Sequence, residues 1–375
     1  MRVLTVFGTR PEAIKLAPVV LAFADAHAVE HAMCVTGQHR EMLDQVMEVF
    51  GLTPEFDLNI MKPGQSLTHI TTAVLNGLGR VIDEFQPDWL IVQGDTTTAF
   101  SGALAAFYRR VQVAHVEAGL RTGNILSPWP EEMNRKLLTQ LASVHFPPTE
   151  IAAKNLRREG VADDVQLVTG NTVIDALQWV AKRFSEDAAL DAEFSDRFDF
   201  IDPAKRLILV TGHRRENFEG GLARVCTALA KIARRDDVQI IYPVHLNPHV
   251  QKIAKAVLLG SPAVHLIDPL DYLPFVYLMR KSYMIITDSG GIQEEAPGLG
   301  KPVLVTRDTT ERPEAIESGT ARLIGTSSEG LIAAASELLD DQTAYNAMAT
   351  ARNPFGDGHA AGRIVERLMQ ESTGS

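Results

Sequence analysis

The chain has 375 residues, 45% of them hydrophobic and 22% charged, proportions that exclude wholesale disorder and fibrous repeats; at roughly 150 residues per domain the length points to two domains. The 36 Lys and Arg stand against 47 Asp and Glu, a net charge of −11, which argues against a general nucleic-acid coat because that needs a basic field. The two cysteines, Cys34 and Cys226, exclude a disulfide framework and fit a reducing compartment, and no run of 18 apolar residues occurs, so a soluble cytoplasmic protein without membrane-spanning helices is expected.

In chain order, the apolar start reads as a buried first strand rather than a secretory signal. Strands are predicted over 2–7, 32–36, 89–93, 111–116, 143–146 and 165–168, with amphipathic helices over 11–25, 39–50, 67–85, 97–109 and 131–142. A helix follows from Thr172 to Phe184, and the charged stretch 185–205 reads as a helix tail plus loop. Further strands are predicted over 206–211, 238–242, 264–267, 283–287, 302–305 and 321–324, with a helix over 217–235. Most strands are β-branched-rich, four to six residues long, and bounded by Gly, Pro or Asp. Strands alternating with helices imply parallel sheets covered on both faces. The expected fold class is therefore α/β with two doubly wound domains, divided near Gly170-Asn171 into 1–170 and 171–356. Ligands of such sheets bind outside the strand C-terminal ends, so an interdomain cleft is expected and the segments just after strands carry the chemistry.

Strand 2–7 ends in Gly8-Thr9-Arg10-Pro11-Glu12, with Lys15 further on. Arg10 and Lys15 put two cations at a helix start, where backbone N–H groups favour anions. The alternative is a capped helix with solvated cations. The spacing is neither G-x-G-x-x-G nor a P-loop. Asp95, after strand 89–93, is a helix cap or a cleft carboxylate. Glu117, directly after strand 111–116, suits acid/base work if burial perturbs it. Glu131 follows Ser127-Pro128-Trp129-Pro130 and lies four residues before Arg135 on one helix face, a spacing that is most often a plain exposed ion pair. In the second half, Gly212-His213-Arg214 repeats the strand–glycine–cation order, and His245 is a weaker candidate. Ser289-Gly290-Gly291 after strand 283–287 lets a diphosphate approach closely. The acidic pair Glu294-Glu295 would repel it, so at least one must point elsewhere. No histidine has zinc-type spacing, and no metal is expected.

Gly8-Thr9-Arg10-Pro11-Glu12, Gly94-Asp95-Thr96, His115-Val116-Glu117-Ala118-Gly119-Leu120-Arg121, Pro130-Glu131-Glu132, Gly170-Asn171-Thr172, Gly212-His213-Arg214, Asp288-Ser289-Gly290-Gly291 and Glu311-Arg312-Pro313-Glu314 together resemble the bacterial non-hydrolysing UDP-N-acetylglucosamine 2-epimerases over roughly residues 1–367. The resemblance implies two Rossmann-like domains in the glycosyltransferase type B (GT-B) architecture, with a last helix, about 357–370, packing back onto the first domain. It implies interconversion of UDP-N-acetylglucosamine and UDP-N-acetylmannosamine through 2-acetamidoglucal, supplying ManNAc units for cell-surface polysaccharide, with no cofactor and a homodimeric assembly. By this likeness Asp95, Glu117, Glu131 and His213 are catalytic. Arg10, Lys15, Asp95, Glu117, His213, Leu270, Phe275, Ser289, Gly290, Gly291, Glu295 and Arg312 are the implied UDP-sugar contacts, with Leu270 acting through its backbone. Gln38, His39, Gln65 and His245 fall in segments that bind a second, activating UDP-N-acetylglucosamine in some members, although Glu41 and Gly64 stand where some members carry Gln and Arg. A hydrolysing 2-epimerase and a type B glycosyltransferase are the competing readings. A non-catalytic UDP-sugar sensor is the other, and it would not need the three carboxylates.

Overall fold

The computed structural model describes residues 1–37, 40–62, 64–212, 214 and 220–373. Two compact units divide the chain: Met1–Ala176 with Phe355–Ser375, and Leu177–Pro354.

The first unit runs β1 (Arg2–Phe7), α1 (Arg10–Ala24), β2 (Glu30–Val35), α2 (Arg40–Phe50), β3 (Phe56–Asp57), α3 (Leu67–Phe85), β4 (Trp89–Gln93), α4 (Thr97–Phe107), β5 (Gln112–Val116), α5 (Glu131–Leu141), β6 (Val144–Phe146) and α6 (Glu150–Arg158). Its six strands are all parallel in the order β3-β2-β1-β4-β5-β6. Leu4, Val6, Leu90 and Val92 from the strands pack with Val74 and Leu78 of α3 and Ala99 and Ala103 of α4 in one buried core. The small residues of α4 allow that close approach: a Cβ added at Gly102 would stand 3.2 Å from Leu78 Cδ1. Burying a side chain such as Leu78 stabilises by roughly 1.5–3 kcal/mol.

Into the second unit run α7 (Thr172–Glu186), α8 (Ala188–Arg197), β7 (Arg206–Thr211), α9 (Gly221–Ile232), β8 (Val238–Pro243), α10 (Pro248–Leu258), β9 (Val264–Ile267), α11 (Tyr272–Lys281), β10 (Met284–Thr287), α12 (Gly290–Glu295), β11 (Val303–Val305), α13 (Pro313–Glu317), β12 (Ala321–Leu323), α14 (Ser328–Asp340) and α15 (Gln342–Ala349). Its sheet is also fully parallel, in the order β12-β11-β10-β7-β8-β9. Both sheets thus have the Rossmann order, in which the chain leaves one strand to build in opposite directions. The switch points lie between β1 and β4, and between β7 and β10.

The last helix, α16 (Ala360–Thr373), belongs to the first unit and packs on α1. Its start is tied to the opening turns of α7: Asn171 N donates to Phe355 O at 2.6 Å and Ala361 N to Asp175 Oδ1 at 2.8 Å. These bonds keep the first turns of α7 with the first unit and set the division at Ala176.

Three expectations change. The segment 165–168 is not a strand; a 3-10 turn at Asp163–Val165 is followed by a single bridge between Gln166 and His145. Two residues of β3 extend the sheet edge where no strand was expected. The stretch 185–205 contains α8, capped by the Asp187 carboxylate accepting from Leu190 N at 3.0 Å and pinned by Phe194, whose ring meets Phe184 and Tyr277 at 5.3 and 5.5 Å. Among the described residues no helix is long and apolar enough to cross a membrane.

Candidate active site

At the first switch point, the chain leaves β1 through Gly8. A Cβ there would stand 2.1 Å from Thr36 Oγ1 and 2.7 Å from Thr98 Oγ1, so this turn requires glycine. Glu12, fully buried, folds back to accept from Gly8 N, Thr9 N and Thr9 Oγ1 at 3.1, 2.8 and 2.8 Å. Its other oxygen accepts from Thr96 Oγ1 at 2.6 Å. Burial pushes the Glu12 carboxyl above its ordinary range, against the pull of these hydrogen bonds. Glu12 therefore locks the loop after β1 to the loop after β4. This places the half-buried Arg10 at the first position of α1 and Lys15 one turn further on.

Lys15 reaches Glu117, with which it forms an ion pair. Glu117 directly follows β5, is 8% exposed, and takes φ +60°. Its Oε2 also accepts from Gln93 Nε2 at 2.5 Å. Left-handed backbone at a non-glycine residue is costly and collects at functional sites.

Asp95 follows β4, which pairs with β5 so that Gln93 lies opposite Val116. Both carboxylates therefore emerge from the C-terminal ends of adjacent strands. Asp95 Oδ2 accepts from Arg135 Nε at 2.8 Å and Nη2 at 2.6 Å. Arg135 also pairs with the fully buried Glu132 at 3.0 Å. Glu132 in turn accepts from Thr122 N and Gly123 N, each at 3.1 Å, and so fixes the loop that leads to α5. The plain Glu131–Arg135 pair suggested by the four-residue spacing does not form. Buried Glu132 and Asp95 take the guanidinium instead, and Glu131, half-buried at the first position of α5, makes no ion pair or hydrogen bond through its side chain with another described residue.

At the second switch point, Gly212 O accepts from Tyr242 Oη at 2.9 Å, and Arg214 N donates to the buried Asp288 carboxylate at 2.9 Å. His213 lies outside the described residues, as do Gln38 and His39. Ser289 occupies the N-cap position of α12, and Ser289 O accepts from Gln293 Nε2 at 3.1 Å. A Cβ at Gly290 would stand 3.9 Å from Arg214 Nη2, and one at Gly291 3.4 Å from Glu295 Oε1. Arg214, Ser289, Gly290, Gly291 and Glu295 are thereby gathered at one place. The acidic pair divides: Glu294 is 4% exposed and ion-paired with Arg312, while Glu295 stands near Gly291. Thr310 joins the Arg312 loop to α12, donating to Gln293 Oε1 at 2.6 Å and accepting from Arg312 N at 3.0 Å. Leu270 and Phe275 are half-buried just before and within α11. Of the other two implied activator contacts, Gln65 is half-buried just before α3, and His245 is exposed after β8, its Nδ1 accepting from Asn247 N at 3.1 Å. Among the described residues no cluster of His, Cys, Asp and Glu is arranged to hold a metal ion.

A family model described as UDP-N-acetylglucosamine 2-epimerase matches residues 22–369. The UDP-N-acetylglucosamine 2-epimerase of Yersinia pestis is 58% identical over 369 residues, 98% of each chain, and that of Escherichia coli K12 is 56% identical over the same length and coverage. The chain belongs to the UDP-N-acetylglucosamine 2-epimerase family. Its structure is similar to that of the Neisseria meningitidis UDP-GlcNAc 2-epimerase bound to UDP-GlcNAc, with a TM-score of 0.87 and 48% identity over 99% of this chain and 100% of that one. The fold class, α/β with two Rossmann-like units of the GT-B type, is shared with that epimerase.

Several groups in this family member escaped the sequence reading. Gln93 and Asn134 stand beside the motifs and Glu132 within one, none in a candidate role; Gln93 holds Glu117, Asn134 the Asp95 carbonyl and Glu132 the Arg135 guanidinium. Arg214 was visible as a cation, but its tie to Asp288 was not.

Proposed function

We propose that the chain interconverts UDP-N-acetylglucosamine and UDP-N-acetylmannosamine without releasing free sugar, by elimination and re-addition of UDP. The observation that carries this reading is the pair of carboxylates on adjacent strand ends, each held by a cation: Asp95 by Arg135, and Glu117 by Lys15. A sugar-nucleotide sensor needs no such pair.

The C2 hydrogen of the sugar has no ring carbonyl beside it, so simple enolisation is closed. In the proposed route a carboxylate takes the C2 proton, the C1–O bond to UDP breaks with its electron pair leaving on the diphosphate, and a C1=C2 bond forms 2-acetamidoglucal. Protonation at C2 from the opposite face and attack of the diphosphate oxygen on C1 give the epimer. Asp95, Glu117 and Glu131 serve proton transfer, and His213 serves the diphosphate or an acid/base step. Acid/base assistance of 10²–10⁴-fold is worth roughly 3–5 kcal/mol. Breaking a glycosyl C–O bond needs more, so stabilisation of the departing diphosphate carries the larger share. Arg10, Lys15, Ser289, Gly290, Gly291 and Arg312 are the groups proposed for it. Glu295 is proposed for the ribose, and Leu270 and Phe275 for the uracil. The product would supply ManNAc units for cell-surface polysaccharide, from a cytoplasmic homodimer. Gln38, His39, Gln65 and His245 are proposed to hold an activating UDP-N-acetylglucosamine. A rate from UDP-N-acetylmannosamine alone that shows no lag and no gain on adding UDP-N-acetylglucosamine would exclude that activator.

The reading is tested by incubating the protein with UDP-N-acetylglucosamine and following products by NMR. UDP-N-acetylmannosamine at an equilibrium ratio, with at most traces of UDP and glucal, is expected. Free N-acetylmannosamine formed in step with UDP would make the enzyme a hydrolase.

A further inference from the structure

His115 lies in β5 among Val113, Ala114 and Val116, all buried, and is itself fully buried. An aliphatic side chain would fill such a position in a parallel sheet without the desolvation that a polar ring brings. Burial pushes its imidazole down to about 3, so the ring is neutral and carries one N–H. The neighbour directly across on β6 is His145, also buried and lowered to about 4. His115 Nε2 lies 2.7 Å from Gly94 O, and a carbonyl can only accept, so the N–H is on Nε2. Nδ1 has no hydrogen-bond partner among the described residues. The one polar contact of this ring is thus spent on the carbonyl of the residue before Asp95.

Three other contacts converge on the same place. Gly94, at φ +70°, donates its own N–H to Val116 O at 2.9 Å, so β5 holds Gly94 from both sides. Asn134 Nδ2, from α5, donates to Asp95 O at 2.9 Å. Arg135 takes the Asp95 carboxylate. The peptide before Asp95, the peptide after it, and its side chain are therefore each fixed by a separate donor. A buried carbonyl needs some donor, but packing does not require that three separate donors converge on one residue. A reacting carboxylate does, because an error of about 1 Å at the proton costs on the order of 10²-fold in rate.

We infer that His115 and Asn134 are positioning residues for Asp95, His115 through the Gly94 carbonyl and Asn134 through the Asp95 carbonyl. The inference rests on the proposed role of Asp95 in proton transfer. Neither residue touches the substrate in this account, so binding should be spared while the chemical step slows.

The test compares full-length wild type, Asp95→Asn, His115→Phe and His115→Gln by kcat and KM for UDP-N-acetylglucosamine, UDP affinity and thermal midpoint. His115→Phe keeps a buried planar ring but removes the donor, whereas the Gln amide carries an N–H where Nε2–H stands. His115→Phe is expected to lower kcat about 10- to 100-fold with KM and UDP affinity within about two-fold, and His115→Gln to restore most of the loss. A His115→Phe enzyme within about two-fold of wild-type kcat, or a His115→Gln enzyme no better than His115→Phe, overturns the inference. If His115→Phe does not fold, Asn134→Ala takes its place: a kcat loss with KM kept supports the inference, and a kcat near wild type overturns it. An inactive wild type would instead sink the proposed function, and a fully active Asp95→Asn would remove Asp95 itself from the chemistry.

Discussion

Glu117 holds φ +60° with its carboxylate between Lys15 and Gln93, a conformation that costs a non-glycine residue roughly 1–2 kcal/mol. Glu12 and Asp175, also buried acids, sit in relaxed backbone and accept from helix-start N–H groups. The contrast agrees with the proposed catalytic role of Glu117 and with structural roles for Glu12 and Asp175. Replacing Asp95 with Asn is expected to leave UDP affinity within a few-fold while cutting turnover by 10² or more. Isothermal calorimetry and a steady-state assay check this, and wild-type turnover would remove Asp95 from the proposed set. Glu117→Gln should behave alike, losing turnover without losing the fold. Asp95, Glu117 and Glu131 stood out in the sequence because each follows a strand end or a stiff Pro-Trp-Pro approach, and the structure places Asp95 and Glu117 at the ends of adjacent strands and Glu131 at the start of α5. Arg135 was misread because spacing along a helix names only local partners. Of the two local acids three and four residues before it, buried Glu132 rather than Glu131 took the guanidinium, and its other partner, Asp95 after β4, is tertiary, which one sequence does not reveal.

The strand and helix pattern was legible almost throughout, because buried parallel strands are continuous β-branched runs. It failed where tertiary contact rather than periodicity makes the element. The edge strand β3 has two residues. The helix α8 has few apolar positions and depends on Phe194 meeting Phe184 and Tyr277. The segment after Glu117 shows the same dependence at the site. Gly119 has φ +86°, and a Cβ there would stand 2.3 Å from Ala152 O in α6. Asn155 Nδ2 donates to Gly119 O at 3.0 Å, and Arg121 forks onto Glu159 of the same segment at 2.9 and 2.7 Å. Helix α6 thus fixes the chain leaving Glu117. Gly119→Ala is expected to cost roughly 2–4 kcal/mol, measured by urea unfolding. A loss below about 0.5 kcal/mol would show that the loop relaxes freely away from α6.

Over the whole chain, a net charge of −11 is compatible with an anionic ligand because the relevant cations are local. Of the cations proposed to meet it, Arg10, Lys15 and Arg312, Lys15 pairs with Glu117 after β5 and Arg312 with Glu294 of α12. The two Rossmann orders were legible only through the family resemblance, since strand order depends on pairing that periodicity along one sequence does not report. Buried histidines also give the fold an acid limit. Burial lowers His31 and His145 to about 4 and His115 to about 3, from 6.5. Below pH 6.5 the unfolded chain takes up protons that the folded chain refuses, so stability present above 6.5 is lost as pH falls toward 4. Glu12 and Asp175, raised by burial, have the opposite sign: folded, they keep protons longer as pH rises, which offsets part of the loss on the acid side. A His145→Leu variant isolates one histidine. Its stability relative to wild type should rise by roughly 1 kcal/mol per pH unit between about pH 6 and 4.5. Parallel urea curves across that range would contradict the assignment.

Incubation with UDP-N-acetylglucosamine in D₂O tests the proposed chemistry most directly. Elimination through 2-acetamidoglucal requires C2 to lose its hydrogen and regain one on the other face. UDP-N-acetylmannosamine carrying deuterium at C2 is expected, with deuterium also entering C2 of the returning UDP-N-acetylglucosamine. UDP-N-acetylmannosamine formed with its C2 hydrogen fully retained would contradict it.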